Sequence, residues 1–180
     1  GAIFKNIGNK IYFNPNKNCI SASNVIKKYN LIEHKENNLN SQEFIDHLKN
    51  IKIDLIISIA SPIIFREPLL KAPRFGCINY HTGLLPKYRG RQPLFWAMLK
   101  NEKYFGISIH IMDKIIDNGP ILVQAKVPIL ANDSLHDLYL KSIKIGPQLL
   151  SKGILNITVK NFATILNLSL IHISEPTRLG

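Results

Sequence analysis

Apolar and polar positions divide this chain into runs of two periodicities. Asp54-Leu-Ile-Ile-Ser-Ile-Ala60 is almost continuously apolar and stops at Ser61-Pro62, as a strand buried on both faces would. Residues 77–81, 106–112 and 120–127 read as three further strands. Between them the spacing turns helical. Ser41 precedes Phe44, Ile45 and Leu48, a capped amphipathic helix. Ser21 or Ser23 caps a shorter one through Tyr29, with Val25, Ile26 and Tyr29 inward. Phe65 to Leu70 makes one helical turn. Gln92 to Lys100 is amphipathic, with Pro93 in its first turn and Phe95, Trp96 and Leu99 apolar. Asn132 or Asp133 caps a long helix from Ser134 to about Ser151, with Leu135, Leu138, Ile145 and Leu149 inward and Pro147 kinking it. This alternation predicts an α/β domain with a doubly wound, mostly parallel sheet. Ligands in such folds sit beyond the carboxyl ends of the strands.

Composition adds bounds. The 180 residues, 46% hydrophobic and 19% charged, can bury one real core. No apolar run is long enough for a membrane-spanning helix. Gly1 to Phe13 lacks the apolar stretch of a signal peptide. Cys19 and Cys77 are far apart and fit no metal spacing, so free thiols in the cytoplasm are expected. The net charge of +11 favours an anionic partner, including RNA. The lysines are scattered rather than blocked, however, and a coding bias towards Lys, Asn and Ile would look the same.

The chemistry gathers around Cys77-Ile-Asn-Tyr-His-Thr-Gly-Leu-Leu-Pro-Lys-Tyr-Arg-Gly90. Asn79 and His81 are two apart, so a strand points both to one side. An amide can donate to a developing oxyanion, and an imidazole can move a proton near neutral pH. A core Asn and His satisfied by backbone is the plainer alternative. Downstream, the loop Asp113-Lys-Ile-Ile-Asp117-Asn-Gly-Pro120 offers two acids four apart, and spacing does not choose between them. His110 reads as a strand histidine satisfied locally. Asn is a poor transition-metal ligand, so no metal is expected.

Three pieces in order, Asn79-Tyr-His81, Leu85-Pro86-Lys-Tyr-Arg-Gly90 and Asp117-Asn-Gly-Pro120, resemble the folate-dependent formyltransferases. The likeness runs from about Lys28 to Leu150. It implies a Rossmann-like core and a formyl transfer from 10-formyltetrahydrofolate to a primary amine, with methionyl-tRNA or an amino-sugar nucleotide as acceptor. It implies Asn79, His81 and Asp117 as the catalytic groups, and selects Asp117 over Asp113 because Gly119-Pro120 follows it. For the pterin it implies Ile63, Ile64 and Phe65 after the first strand, with Cys77, Leu85, Met112, Asp113 and Lys114 around them. A formyltetrahydrofolate hydrolase, using water, is the alternative enzyme. A basic nucleic-acid-binding domain with a vestigial triad is the alternative of another class.

Two departures accompany the resemblance. The family's first strand, helix and glycine turn are not evident before Ser21, so the core is expected to be incomplete at its N-terminus. Residues 1–155 are expected to form the catalytic domain and 156–180 a poorly defined tail. The stretch Ser169 to Arg178 resembles a translated sequencing adapter, which would make that tail non-native.

Overall fold

The computed structural model describes residues 22–34 and 36–159. Expectations for residues 1–18, Cys19 and the segment 160–180 lie outside them. The described chain runs α1 (Ala22–Lys28), α2 (Gln42–Asn50), β1 (Ile56–Ile59), α3 (Glu67–Leu70), β2 (Cys77–His81), α4 (Pro93–Leu99), β3 (Tyr104–Ile111), β4 (Ile121–Pro128) and α5 (Leu135–Val159). The strands lie side by side in sequence order.

The sheet is mixed. β1 and β2 are parallel, joined through α3. β2 pairs with β3 antiparallel, and β3 with β4 antiparallel. The expectation of mostly parallel strands therefore holds, among the described strands, only for β1 and β2. For β3 and β4 the reason is connection length. A parallel return needs a crossover of about a dozen residues or more. The short polar loop between Ile111 and Ile121 lets β4 only fold back along β3.

Helices cover both faces, as a doubly wound fold requires. On one face Ile78, Phe105, Ile107, Ile109 and Ile111 pack with Leu94 and Ala97 of α4 and with Leu138, Leu149 and Ile157 of α5. On the other, Cys77 joins Phe44, Ile45 and Leu48 of α2, Leu69 of α3 and Phe65. Ser41 caps α2 as expected, its hydroxyl accepting from the Phe44 amide at 3.2 Å.

Some expectations move. Tyr29, in the turn after α1, is exposed rather than inward, and so are Phe95, Trp96 and Leu99 of α4. The seven-residue α4 has room for one buried stripe, and Pro93, Leu94 and Ala97 occupy it. α5 continues through Pro147 to Val159 rather than ending near Ser151. Ile157, buried in the main core, holds that last stretch down.

Candidate active site

β2 delivers two polar side chains to the open end of the sheet. Its two-residue period sends Ile78 and Tyr80 towards α5, where the Tyr80 hydroxyl donates to the Ser142 carbonyl at 2.9 Å. Asn79 and His81 face the other way. Their cross-strand partners on β3 are His110 and Ser108, so all four share one face.

Asp117 comes to them from the loop between β3 and β4. Its φ is +50°, a left-handed conformation that Asp tolerates better than most side chains. Asp117 Oδ2 accepts from the Gly90 backbone amide at 2.8 Å and lies 3.5 Å from His81 Nδ1. Asp117 Oδ1 accepts from Asn79 Nδ2 at 3.2 Å and lies 3.3 Å from His110 Nε2. One carboxylate, its side chain 8% exposed, thus accepts from an amide and a loop N–H and stands beside two imidazoles. The loop closes this tightly because residue 119 is glycine. A Cβ there would stand 1.9 Å from the Ile111 carbonyl oxygen, which itself accepts from His110 Nδ1 at 2.8 Å.

A carbonyl accepts only, so the 2.8 Å contact between His81 Nε2 and the Tyr88 oxygen makes Nε2 the donor. The neutral ring then carries its lone pair on Nδ1, facing Asp117. Gly83 flanks this bond. A Cβ on it would lie 2.5 Å from His81 Nε2 and 2.8 Å from the Tyr88 oxygen. Burial drives the His81 pKa below its usual value, and it outweighs the opposing pull of Asp117 and the Tyr88 carbonyl. Burial also acts to raise the Asp117 carboxyl, but the hydrogen bond with His110, the Gly90 amide and the neighbouring His81 prevail and bring it down to about 2. The site therefore holds an ionised carboxylate beside an imidazole that gives up its proton readily. Next to both is an amide whose N–H groups can meet negative charge.

A family model described as formyl transferase matches residues 5–154. This chain is a member of the formyl transferase family. The match begins well before Lys28 and so takes in more of the N-terminal part than the motifs alone suggested. Methionyl-tRNA formyltransferase of Caldanaerobacter subterraneus subsp. tengcongensis is 34% identical over 145 residues, which are 81% of this chain and 45% of that protein. The bifunctional polymyxin resistance protein ArnA of Wigglesworthia glossinidia brevipalpis is 40% identical over 115 residues, 64% of this chain and 18% of that protein. The chain thus spans about half, or less, of the curated relatives it matches. Among solved structures, phosphoribosylglycinamide formyltransferase from Bacillus halodurans superposes with a TM-score of 0.66 at 25% identity. That superposition covers 76% of this chain and 75% of the other.

Within this formyltransferase domain the expected site residues fall into two groups. Asn79, His81 and Asp117 converge. Asp113 does not join them: it is exposed, and its carboxylate accepts from the Ile115 amide at 2.8 Å. The expected pterin residues are more dispersed. Ile63 is half-buried and Ile64 exposed, on a loop braced by Asn40, which donates to the Ile64 carbonyl and accepts from the Arg66 amide. Phe65 and Cys77 are buried in the smaller core, with Met112 packed against it. Burial pushes the Cys77 thiol up to about 12, so it is an inert core group. Leu85 is buried too, and Lys114 is exposed. Among the described residues no His, Cys, Asp and Glu cluster is suited to a metal ion, and no helix is long and apolar enough to cross a membrane.

His110 was not expected in the cluster. Its signal lay in the alternation of β3: Ser108 and His110 occupy the face opposite Ile107, Ile109 and Ile111. The antiparallel pairing of β2 and β3, in the register the structure adopts, sets His110 against Asn79. The Tyr88 carbonyl and the Gly90 amide are backbone groups, which residue identity does not announce.

Proposed function

We propose that this chain carries the catalytic site of an enzyme that transfers a formyl group from 10-formyltetrahydrofolate to a primary amine. The observation that carries this reading is the Asp117 carboxylate spanning His81 Nδ1 and Asn79 Nδ2 at the end of β2. The family membership supports the same reaction class.

Each group then has a role set by its contacts. Asn79 Nδ2 has two hydrogens, and Asp117 holds one. The other faces His110 at the longer distance of 3.3 Å and is free to turn to the formyl oxygen as the amine attacks. His81 keeps Nε2–H on the Tyr88 carbonyl, so proton traffic falls to Nδ1. Nδ1 takes the proton from the attacking amine, directly or through water, and gives it to the folate nitrogen as the old carbon–nitrogen bond breaks. Asp117 steadies the positive charge that His81 carries between these two events. Ile63, Ile64 and Phe65, with Leu85 and the 112–114 stretch, are the proposed pterin contacts.

For the acceptor we carry two amines, methionyl-tRNA and an amino-sugar nucleotide. Relatives named for the first acceptor support that one, and the second rests on the sequence resemblance. A cytoplasmic location suits either. The test is formyl transfer from 10-formyltetrahydrofolate to a panel containing both amines, with free formate followed in parallel. Amine-dependent transfer supports the proposal and names the acceptor. Equal formate release with and without amine replaces it with the hydrolase. Salt-sensitive RNA binding with no affinity for a folate analogue would replace both with a nucleic-acid-binding module.

A further inference from the structure

A polar row crosses the sheet beside the site. His81, Ser108 and Gln124 are successive cross-strand partners on β2, β3 and β4. Ser108 is fully buried. Its hydroxyl donates to the Gly83 carbonyl at 2.6 Å and accepts from the Leu85 amide at 3.3 Å and from Gln124 Nε2 at 2.8 Å. Gln124 Nε2 also donates to the Leu85 carbonyl at 2.9 Å. A serine hydroxyl has one donor and two acceptor positions, and an amide nitrogen has two hydrogens. All five are used, and the directions are forced, because both carbonyls can only accept.

These four bonds fasten the start of the loop that covers the catalytic cluster. Gly83 lies against the His81 imidazole, as its missing Cβ requires. The same loop then supplies the Tyr88 carbonyl to His81 Nε2 and the Gly90 amide to Asp117. Beyond the clamp, Tyr88 is held by its hydroxyl on Glu102 at 2.5 Å. None of the expected catalytic or pterin residues accounts for a glutamine on β4, two strands from His81.

We propose that Gln124, acting through Ser108, is a positioning residue: it fixes the loop backbone that decides which nitrogen of His81 carries the exchangeable proton. Without the clamp the Tyr88 carbonyl drifts, Nε2–H loses its fixed acceptor, and the imidazole populates both tautomers. The kinetic part of this inference rests on the formyl transfer proposed above; the tautomer part does not.

The test compares Gln124→Met, Ser108→Ala and the double variant in this chain labelled with 15N-histidine. Long-range proton–nitrogen spectra read the His81 tautomer, and circular dichroism checks folding. The expected result is a folded Gln124→Met protein whose His81 signals move from a single Nε2–H form to a mixture. Its turnover falls on the order of tenfold to a hundredfold, the scale of a small misplacement, with the folate KM changing less than kcat. Because both side chains act on one loop, the double variant loses less than the two single losses combined. Ser108→Ala alone tests the same tautomer shift should Gln124→Met not fold. Unchanged His81 signals in folded variants, or strictly additive losses, overturn the inference. A tautomer shift in a chain that transfers no formyl group upholds the positioning role and sinks the proposed function instead.

Discussion

The two faces of the β2–β3 pair are equally dry and differently built. On one, Ile78, Ile107 and Ile109 are fully buried against α4 and α5. On the other, Ser108, His110 and His81 are buried almost as deeply, yet each polar atom meets a partner. Alternate residues of the same strands produce both. The apolar face is held by area and shape, which tolerate imprecision of direction. The polar face is held by directed bonds, where one missing donor leaves another group buried and unpaired. Burial alone therefore does not separate scaffold from site in this domain. What separates them is whether the buried atoms are directional.

The sharpest way to break that contrast is at the polar face. Asn79→Ala and His81→Ala should each lower turnover by about a hundred- to a thousandfold, the usual cost of losing such a group. Folate-analogue binding should persist in His81→Ala, because the proposed pterin contacts do not include His81. Asp117→Asn should also slow transfer, since both His81 and Asn79 lean on its charge. Steady-state transfer assays with a parallel binding titration read all three. Normal turnover in His81→Ala would remove the polar face from the chemistry.

On the apolar face, Ile109→Ala should cost about 2–5 kcal/mol of stability through the cavity it leaves. Turnover per folded molecule should stay near that of the parent. Urea unfolding and activity measured on the folded fraction separate the two effects. A large loss of turnover with little loss of stability would show that the faces are not independent.

Acid should weaken the polar face first. Asp117 sits at about 2 in the folded chain against an ordinary 3.8, so its contribution is present above about pH 4 and lost as pH falls towards 2. His81 acts in the same direction: its lowered pKa means that protonation below about pH 6.5 favours the unfolded chain. Unfolding midpoints measured from neutral pH down to about pH 2 should fall, and Asp117→Asn should flatten the lower part of that curve. An identical curve for that variant would assign the acid sensitivity elsewhere. Asp113→Asn is the smallest change expected. Its side chain bonds only its own loop in a solvent-exposed turn, so stability should move by less than about 0.5 kcal/mol and turnover should hold. An inactive Asp113→Asn beside a normal Asp117→Asn would reverse the assignment of the acid.

Much of this was legible along the chain because its causes are local. Period-two alternation placed Asn79 and His81 on one side of a strand. Ser41 announced its helix, whereas the choice of Asp117 over Asp113 came from the resemblance to the formyltransferases, through Gly119-Pro120. Glycine is required at 83 and 119 by close approach to groups nearby in the chain, His81 and Tyr88 for the first and the Ile111 carbonyl for the second. The tertiary structure alone decided who meets whom across the sheet. The antiparallel return of β3 set His110 against Asn79, and a register shift at Ile109/His110 adjusted β4 beside it. The clamp of Ser108 and Gln124 on residues 83–85, and the backbone groups of Tyr88 and Gly90 that orient His81 and Asp117, exist only once three strands are aligned. Local periodicity says which way a side chain points; strand direction and register, set by packing between segments far apart in the chain, say what it points at.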